Sequence, residues 1–366
     1  MAFTRRTRVV LLVAVALVVI GALVIGAATV VERGSKEPVK DITTRPSAYQ
    51  VTYRVVASAT GTATTSWEVL TVHRPFASSD LTYQADPRRE QGQTPQKATW
   101  FSTDELYTLD ATDVVRAVAG RQPGPSGSDQ ALGVELDGLV TRGLASQRQS
   151  ERVAGRSCRV YRFFEPPGGA VRKLDGDRNH DDLCIDGSGL VLSERWTLDG
   201  RLVFRRDAVE VHLGDRPDPM GTAGAQPLPG SRQAATVTKG VDPHAPISAP
   251  PAPAGFDAWG PEELTVPDPA GQGVVAQSTV WAFTRGPDVI SVEAGRERGG
   301  TVPWSNQPTV TEPVHLPGLG DATTALRSDG PEIRIALPGG TWVRIRGTVP
   351  LAQLVSYART LPAPRR

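Results

Sequence analysis

LVLSERWTLDGRLVFRRDAVEVH, residues 190–212, is the stretch that decides the fold class. Two runs rich in Val, Leu and aromatic residues flank Asp199-Gly200, and an Asp-Gly pair between such runs is the strongest short signal for a two-residue hairpin turn. The stretch therefore predicts two antiparallel strands, Leu190–Thr197 and Leu202–His212. A chain with Gly 37, Pro 31 and 6% aromatic residues fits short strands and many turns better than a helical bundle.

Further strand patterns lie on the amino-terminal side of this hairpin. Tyr49, Val51, Tyr53 and Val55 alternate along one run, and Trp67, Val69 and Thr71 occupy one face of the next. Shorter strands are predicted at Leu81–Tyr83, Thr99–Phe101, Leu106–Leu109 and Arg159–Phe164. A helix is predicted where apolar residues recur with helical spacing, at Leu132, Leu136, Leu139, Val140 and Leu144, with Asp129 as its N-cap.

The carboxyl-terminal third predicts a second domain. Residues 214–255 are rich in Pro, Gly, Ala and Gln and are interpreted as a linker. After the linker, residues 256–362 combine strand patterns with a helix from Leu351 to about Leu361. The strands are predicted at Gln277–Thr284, Val289–Val292, Glu332–Leu337 and Thr341–Arg346. The predicted fold class is α+β, with a first domain at 46–213 and a small α+β domain at 256–362.

The amino terminus predicts a membrane anchor. Val9 to Val31 carry no charge, and a run of about 23 apolar residues is long enough to cross a bilayer. Arg5, Arg6 and Arg8 precede it, which favours a cytoplasmic segment 1–8, a transmembrane helix 9–31, a stalk 32–45 and extracytoplasmic domains. The expected location is the cell membrane, with a single pass and the amino terminus inside. The alternative is a cleaved signal peptide, because Gly26-Ala27-Ala28 offers small residues at a cleavage site.

Export affects the interpretation of the two cysteines. In an oxidising compartment Cys158 and Cys184 can form one disulfide, with two free thiols as the alternative. The 40 Lys plus Arg and 39 Asp plus Glu give a net charge of +1, and no segment of the exported part resembles a polybasic nucleic-acid surface. Nucleic acid is therefore not expected as a partner.

Three stretches of the first domain resemble a known superfamily. They are RVAGRSCRVYRF at 152–163, CIDGSGLVL at 184–192 and WTLDGRLVF at 196–204. Together they resemble the LolA/RseB-like superfamily of lipoprotein carriers and sigma-E regulatory proteins. The end of the second domain, GGTWVRI at 339–345, resembles the carboxyl-terminal piece of RseB-type regulators. The resemblance implies a curved antiparallel half-barrel closed by helices, paired strands bearing the two cysteines, and no enzymatic activity.

The same resemblance implies a binding hollow. The residues expected to line it are Val51, Tyr53, Val55, Trp67, Val69, Trp196 and, from the closing helix, Leu136. The implied function is binding of a lipid, an acyl chain or a lipidated partner in this hollow. The alternative is an RseB-like regulator that contacts an anti-sigma factor or another membrane protein.

Candidate chemistry elsewhere in the sequence is sparse. Residues 175–186 place acidic side chains at alternate positions and partly match a calcium loop, with a solvated acidic loop as the alternative. The five histidines are scattered, and no nucleophile motif accompanies them. We expect no enzyme, no cofactor and no metal site.

Overall fold

The computed structural model describes residues 45–59, 62–73, 77–90, 92–101, 106–110, 113–117, 135–164, 178–214, 236–267, 274–286, 288–297, 302, 311–327 and 330–365. In these ranges the chain forms two antiparallel sheets, one of eleven strands and one of eight. Residues 45–214 carry the first sheet and are called the first domain. Residues 236–365 carry the second sheet and are called the second domain.

The first sheet has the strand order β6-β5-β4-β3-β2-β1-β11-β10-β9-β8-β7. Its strands are β1 Ala48–Ala59, β2 Thr62–His73, β3 Ala77–Tyr83, β4 Lys97–Phe101, β5 Leu106–Asp110, β6 Asp113–Ala117, β7 Ala145–Val153, β8 Arg156–Phe163, β9 His180–Asp186, β10 Val191–Leu198 and β11 Arg201–Leu213. Every pair of neighbouring strands is consecutive in sequence except β1 and β11. The sheet is therefore a run of hairpins joined by one long-range pairing.

The β10–β11 hairpin confirms the turn predicted from Asp199-Gly200. Leu198 pairs with Arg201, and the two turn residues have φ angles of 50° and 75°. Both angles are positive, as a two-residue turn matched to the strand twist requires, and Asp and Gly tolerate this region better than most residues. The Asn179 side chain accepts a hydrogen bond from the Asp199 N–H at 2.7 Å and holds the turn from outside.

The first sheet bends strongly at its β7 end. Arg195 on β10 reaches Glu151 on β7 at 2.9 Å, although β8 and β9 lie between them. Three strand spacings on a flat sheet amount to about 14 Å, more than these two side chains together comfortably span. The sheet therefore curls toward the face that carries this ion pair.

The second sheet has the strand order β12-β13-β14-β15-β19-β18-β17-β16. Its strands are β12 Thr236–Lys239, β13 Asp257–Pro267, β14 Val274–Arg285, β15 Asp288–Glu297, β16 Thr311–Leu316, β17 Gly320–Arg327, β18 Gly330–Ala336 and β19 Thr341–Gly347. Helix α2, Leu351–Ala358, follows β19. It buries Leu354 and Tyr357 against the sheet, and the Tyr357 ring meets Phe283 edge-on at 5.9 Å.

The α+β fold class predicted from the sequence is wrong. Both domains are built on antiparallel sheets, and the α-helices of the described ranges are α1, Leu136–Thr141, with six residues, and α2, with eight. The predicted helix through Leu144 ends earlier because Gly143 adopts a φ of 69°, a left-handed conformation that terminates helices. The predicted helix start at Asp129 lies outside the described residues.

The predicted linker also differs from the structure. Thr236–Lys239 forms β12, and Ala245 and Ile247 are buried in the core of the second domain. The Asp242 N–H donates to the Thr279 hydroxyl at 2.9 Å and fastens this segment to β14. Small and proline residues are typical of a linker by composition, but here Ala245, Pro246 and Ile247 are buried in the second domain. Residues 215–235 lie outside the described part of the chain.

The predicted membrane anchor is corrected as well. In the described ranges, neither helix has the length and apolar character needed to cross a bilayer. The segments 9–31 and 32–44 themselves lie outside those ranges. The described ranges give no support for the predicted single-pass location in the cell membrane.

Candidate functional site

The residues predicted to line one hollow lie on two faces of the first sheet. Val51 pairs with Leu70 and Tyr53 with Glu68, so Val51, Tyr53 and Val55 share a face with these partners. Trp67 and Val69 alternate with them along β2 and point to the opposite face, where Val69 packs near Leu81, Ala98 and Trp100. A shift of one residue in strand register moves every side chain of a strand to the other face of the sheet. Because β2 carries apolar residues on both faces, its sequence pattern does not indicate which face contacts Val51.

The face that carries Val51, Tyr53 and Val55 is densely packed. Their exposed fractions are 0%, 1% and 9%. The Tyr53 hydroxyl donates to the Val191 carbonyl at 2.8 Å, and the Arg206 guanidinium lies over the Tyr53 ring at 4.6 Å. Val51, Tyr53 and Val55 are therefore in contact with side chains of the chain itself.

Arg206 closes this packed face with an ion-pair network. Its Nη1 and Nη2 atoms lie 2.8 Å from Glu68 Oε1 and 2.8 Å from Glu194 Oε2. The three side chains are only 13–14% exposed, and buried charges are stable only when they are paired in this way. The sequence analysis did not single out these residues, although the two adjacent arginines Arg205-Arg206, directly after the apolar run Leu202–Phe204, are a signal that could have found Arg206.

Trp196 lies at a partly exposed position on the β10–β11 hairpin. Its ring stacks on Phe204 with the centroids 4.5 Å apart, and its Nε1–H donates to Glu194 at 2.7 Å. Leu202, further toward the turn, is 50% exposed. We call Trp196, Leu202 and Phe204 the hairpin surface. Partly exposed aromatic side chains of this kind are enriched in protein interfaces.

Leu136 belongs to a different apolar cluster. It packs with Leu139, Tyr161 and Phe163, and the cluster also contains Leu326 from β17 of the second domain. Helix α1 therefore lies between the two domains and does not close the face of Val51 and Tyr53.

Cys158 and Cys184 are joined by a disulfide. The Sγ atoms are 2.09 Å apart and the Cα atoms 5.3 Å apart. The cysteines lie on the neighbouring strands β8 and β9, where Val160 pairs with Cys184, and they are 0% and 2% exposed. The bond encloses the 165–177 segment, which lies outside the described residues.

The acidic stretch predicted as a loop is mainly strand β9. Asp182 pairs with Arg162 at 2.7 Å, and Asp186 accepts hydrogen bonds from Arg156 and from the Ser188 and Leu190 backbone N–H groups. These carboxylates serve structural contacts, and among the described residues no group of three or more potential metal ligands occurs. Residues 175–177 lie outside those residues.

A separate surface concavity lies on the second sheet. It has a volume of about 510 Å³ and is lined by residues of β16, β17 and β18. His315 and Asp321 pair across its rim at 2.9 Å, and both are well exposed. The sequence pattern did not indicate it.

Comparisons with known proteins give a structural likeness only. No family model matches the chain, and no curated protein matches it. Among solved structures, MucB in complex with MucA(peri) matches with 16% identity and a TM-score of 0.27, covering 87% of this chain and 94% of that chain. The MucA/MucB complex of Pseudomonas aeruginosa matches with 15% identity and a TM-score of 0.30 over the same shares.

A structure of MucB alone matches with 15% identity and a TM-score of 0.28, covering 89% of this chain and 94% of that chain. The TM-scores lie below 0.5, and the proposals below therefore rest on the contacts of this chain. The chain is thus similar to MucB over most of its length, at low sequence identity.

Proposed function

We propose that the chain is an exported, non-enzymatic regulator that acts by contact with another protein, in the manner of an RseB-like regulator on an anti-sigma factor. The resemblance of residues 152–163 and 184–204 to that superfamily supports the class of function. The Cys158–Cys184 disulfide supports export, because such bonds persist in oxidising compartments.

The packing around Tyr53 is the observation that carries the proposal. A carrier of lipid needs an unfilled apolar hollow of a few hundred Å³. Val51, Tyr53 and Val55 are instead in contact with the chain's own side chains, and Arg206 with its two glutamates closes the same face. This arrangement favours protein contact over enclosure of an acyl chain.

The hairpin surface is the contact site that we propose. Trp196 has a large ring that is fixed in orientation, because Phe204 stacks on it and Glu194 accepts a hydrogen bond from its Nε1–H. Rigid aromatic anchors supply a large share of binding energy at protein interfaces. The partner proposed is an exported segment of an anti-sigma factor or of a similar membrane protein.

A binding measurement tests this proposal. The full chain is titrated with the purified exported segments of the anti-sigma factors encoded in the same genome. We expect one segment to bind, and Trp196→Ala to weaken its Kd by about 30-fold or more, the loss typical of a central aromatic anchor. Leu202→Ala should weaken binding, whereas Leu213→Ala, on the same strand and similarly exposed at 43%, should not.

A lipid-binding measurement provides the opposing outcome. The full chain is titrated with a fluorescent fatty acid at micromolar concentrations, and we expect no saturable binding. Saturable binding that Val51→Glu abolishes and Val69→Glu leaves intact would instead show that the packed face opens for acyl chains, and protein contact would no longer be the better account.

A further inference from the structure

The two domains meet through charged and polar groups. Glu135, at the start of α1 in the first domain, accepts a hydrogen bond from the backbone N–H of Leu351 in the second domain. Arg45, just before β1, pairs with Asp288 at the start of β15. Among the described residues, Leu326 is the apolar side chain of the second domain that joins a core cluster of the first. These groups form the interdomain contact.

The first turn of α2 depends on the first domain for this hydrogen bond. The first N–H groups of a helix have no partner within the helix, and a polar side chain at the N-cap usually supplies one. The N-cap of α2 is Pro350, which makes no side-chain capping bond. The Glu135 carboxylate of the first domain accepts this hydrogen bond instead of an N-cap side chain. Its negative charge is favourable at a helix N-terminus.

The local structure of α1 holds Glu135 in position. Its carboxylate is also paired with Arg142 at 3.3 Å, and Arg142 lies 3.9 Å from Glu312 on β16. A Cβ at Gly138 would lie 3.0 Å from Glu135 Oε2. Glycine inside a helix is unfavourable by about 1 kcal/mol relative to alanine, and here it leaves room for this carboxylate.

We infer that the interdomain contact is a separable joint, in which Glu135 and Arg45 hold the two domains closed. The charged partners are largely buried, so loss of one partner leaves the other charge without compensation, and polar interdomain surfaces generally permit relative motion. Opening uncovers Leu136 and Leu326, each only 6% exposed in the closed arrangement. The open form therefore presents an apolar surface that the closed form hides, whatever partner the hairpin surface binds.

Distance measurements on the full chain test this inference. Spin labels are placed at Gln149→Cys in the first domain and Ala336→Cys in the second, both exposed positions. We expect one narrow distance distribution in 0.1 M salt, and a longer and broader one in Glu135→Ala and in Arg45→Ala. Glu210→Ala and Arg178→Ala, which remove a partly exposed carboxylate and an exposed guanidinium away from the contact, should leave the distribution narrow.

Two further measurements keep the result independent of folding defects. Asp288→Ala, which removes the partner of Arg45 from the second domain, should show the same broadening and increased binding of a hydrophobic dye. Gly138→Ala should broaden the distribution while circular dichroism stays unchanged. If the distance distribution stays narrow in Asp288→Ala, in Gly138→Ala and in folded Glu135→Ala, the contact is not what holds the domains, and the inference fails.

Discussion

At the scale of single residues, buried carboxylates hold turns and strand ends in this chain. Asp186 is 1% exposed and accepts from the Arg156 guanidinium at 2.7 Å. Its other oxygen accepts from the Ser188 N–H at 2.8 Å, the Ser188 hydroxyl at 2.7 Å and the Leu190 N–H at 3.0 Å. One side chain thus organises the turn between β9 and β10.

Substitution of Asp186 should be strongly destabilising. We expect Asp186→Asn to lower the free energy of unfolding by about 2–4 kcal/mol, because it removes a buried charge from its guanidinium partner and places an amide donor against backbone N–H groups. Urea denaturation measures the loss. Asp199→Asn, at an 81% exposed side chain paired with Arg178 at 3.6 Å, is the control and should stay within about 0.5 kcal/mol of the unaltered chain.

Glu293 should make the second domain sensitive to acid. Burial raises the pKa of this carboxyl. The Arg344 guanidinium, Arg346 and the Ser278 hydroxyl lower it by a larger amount, so the pKa lies below the ordinary value of 4.5. A lowered pKa contributes stability that is present above pH 4.5 and is lost as the pH falls through the folded value. Glu293→Gln should be less stable at pH 7 and lose less on acidification. If the free energy of unfolding fell equally steeply with pH below 4.5 in both chains, Glu293 would not be the source of the acid sensitivity.

At the scale of elements, sequence patterns located the apolar strands and missed the polar ones. β1, β10 and β11 follow from alternation and from the Asp199-Gly200 turn. β7, with the sequence ASQRQSERV, and β9, with HDDLCID, contain mostly polar residues. Their strand conformation comes from long-range pairing, since Arg162 and Arg195 compensate Asp182 and Glu151, and no local pattern encodes such partners. The β1–β2 register, which places Val51 and Trp67 on opposite faces of the sheet, could not be predicted either, because it is set by pairing between strands and not by a local pattern.

The segment before β13 provides a prediction at this scale. Ile247 is 0% exposed in the second core, although its chain neighbours are Pro246 and Ser248. Ile247→Ala should lower the free energy of unfolding of the second domain by about 2–5 kcal/mol, the range for truncation of a buried Ile. Val241→Ala, at a position 37% exposed, is the matched control. Equal stabilities of the two variants would show that residues 240–255 behave as a linker after all.

At the scale of the whole molecule, the sequence predicted two domains, at 46–213 and 256–362, and the structure corrects the fold class predicted for them. Both domains are antiparallel β, and the second begins by Thr236. The interdomain contact could not be predicted, because Glu135 and Arg45 resemble ordinary surface charges until the partner domain is in place. The position of Arg206 over the Tyr53 ring could not be predicted either, since it follows from the long-range pairing of β1 with β11.

The pairing of β1 with β11 determines when the first domain can finish folding. Tyr49 lies opposite Leu213, and the Gly214 N–H donates to the Ala48 carbonyl at 2.9 Å, so the two ends of the domain meet in the middle of its sheet. Pairings between distant segments form late, because closing a long loop is entropically unfavourable. A nascent chain that has not yet delivered Leu213 exposes an unpaired edge of β1, the kind of edge that invites aggregation. The cell therefore has to protect this strand throughout synthesis of the whole first domain.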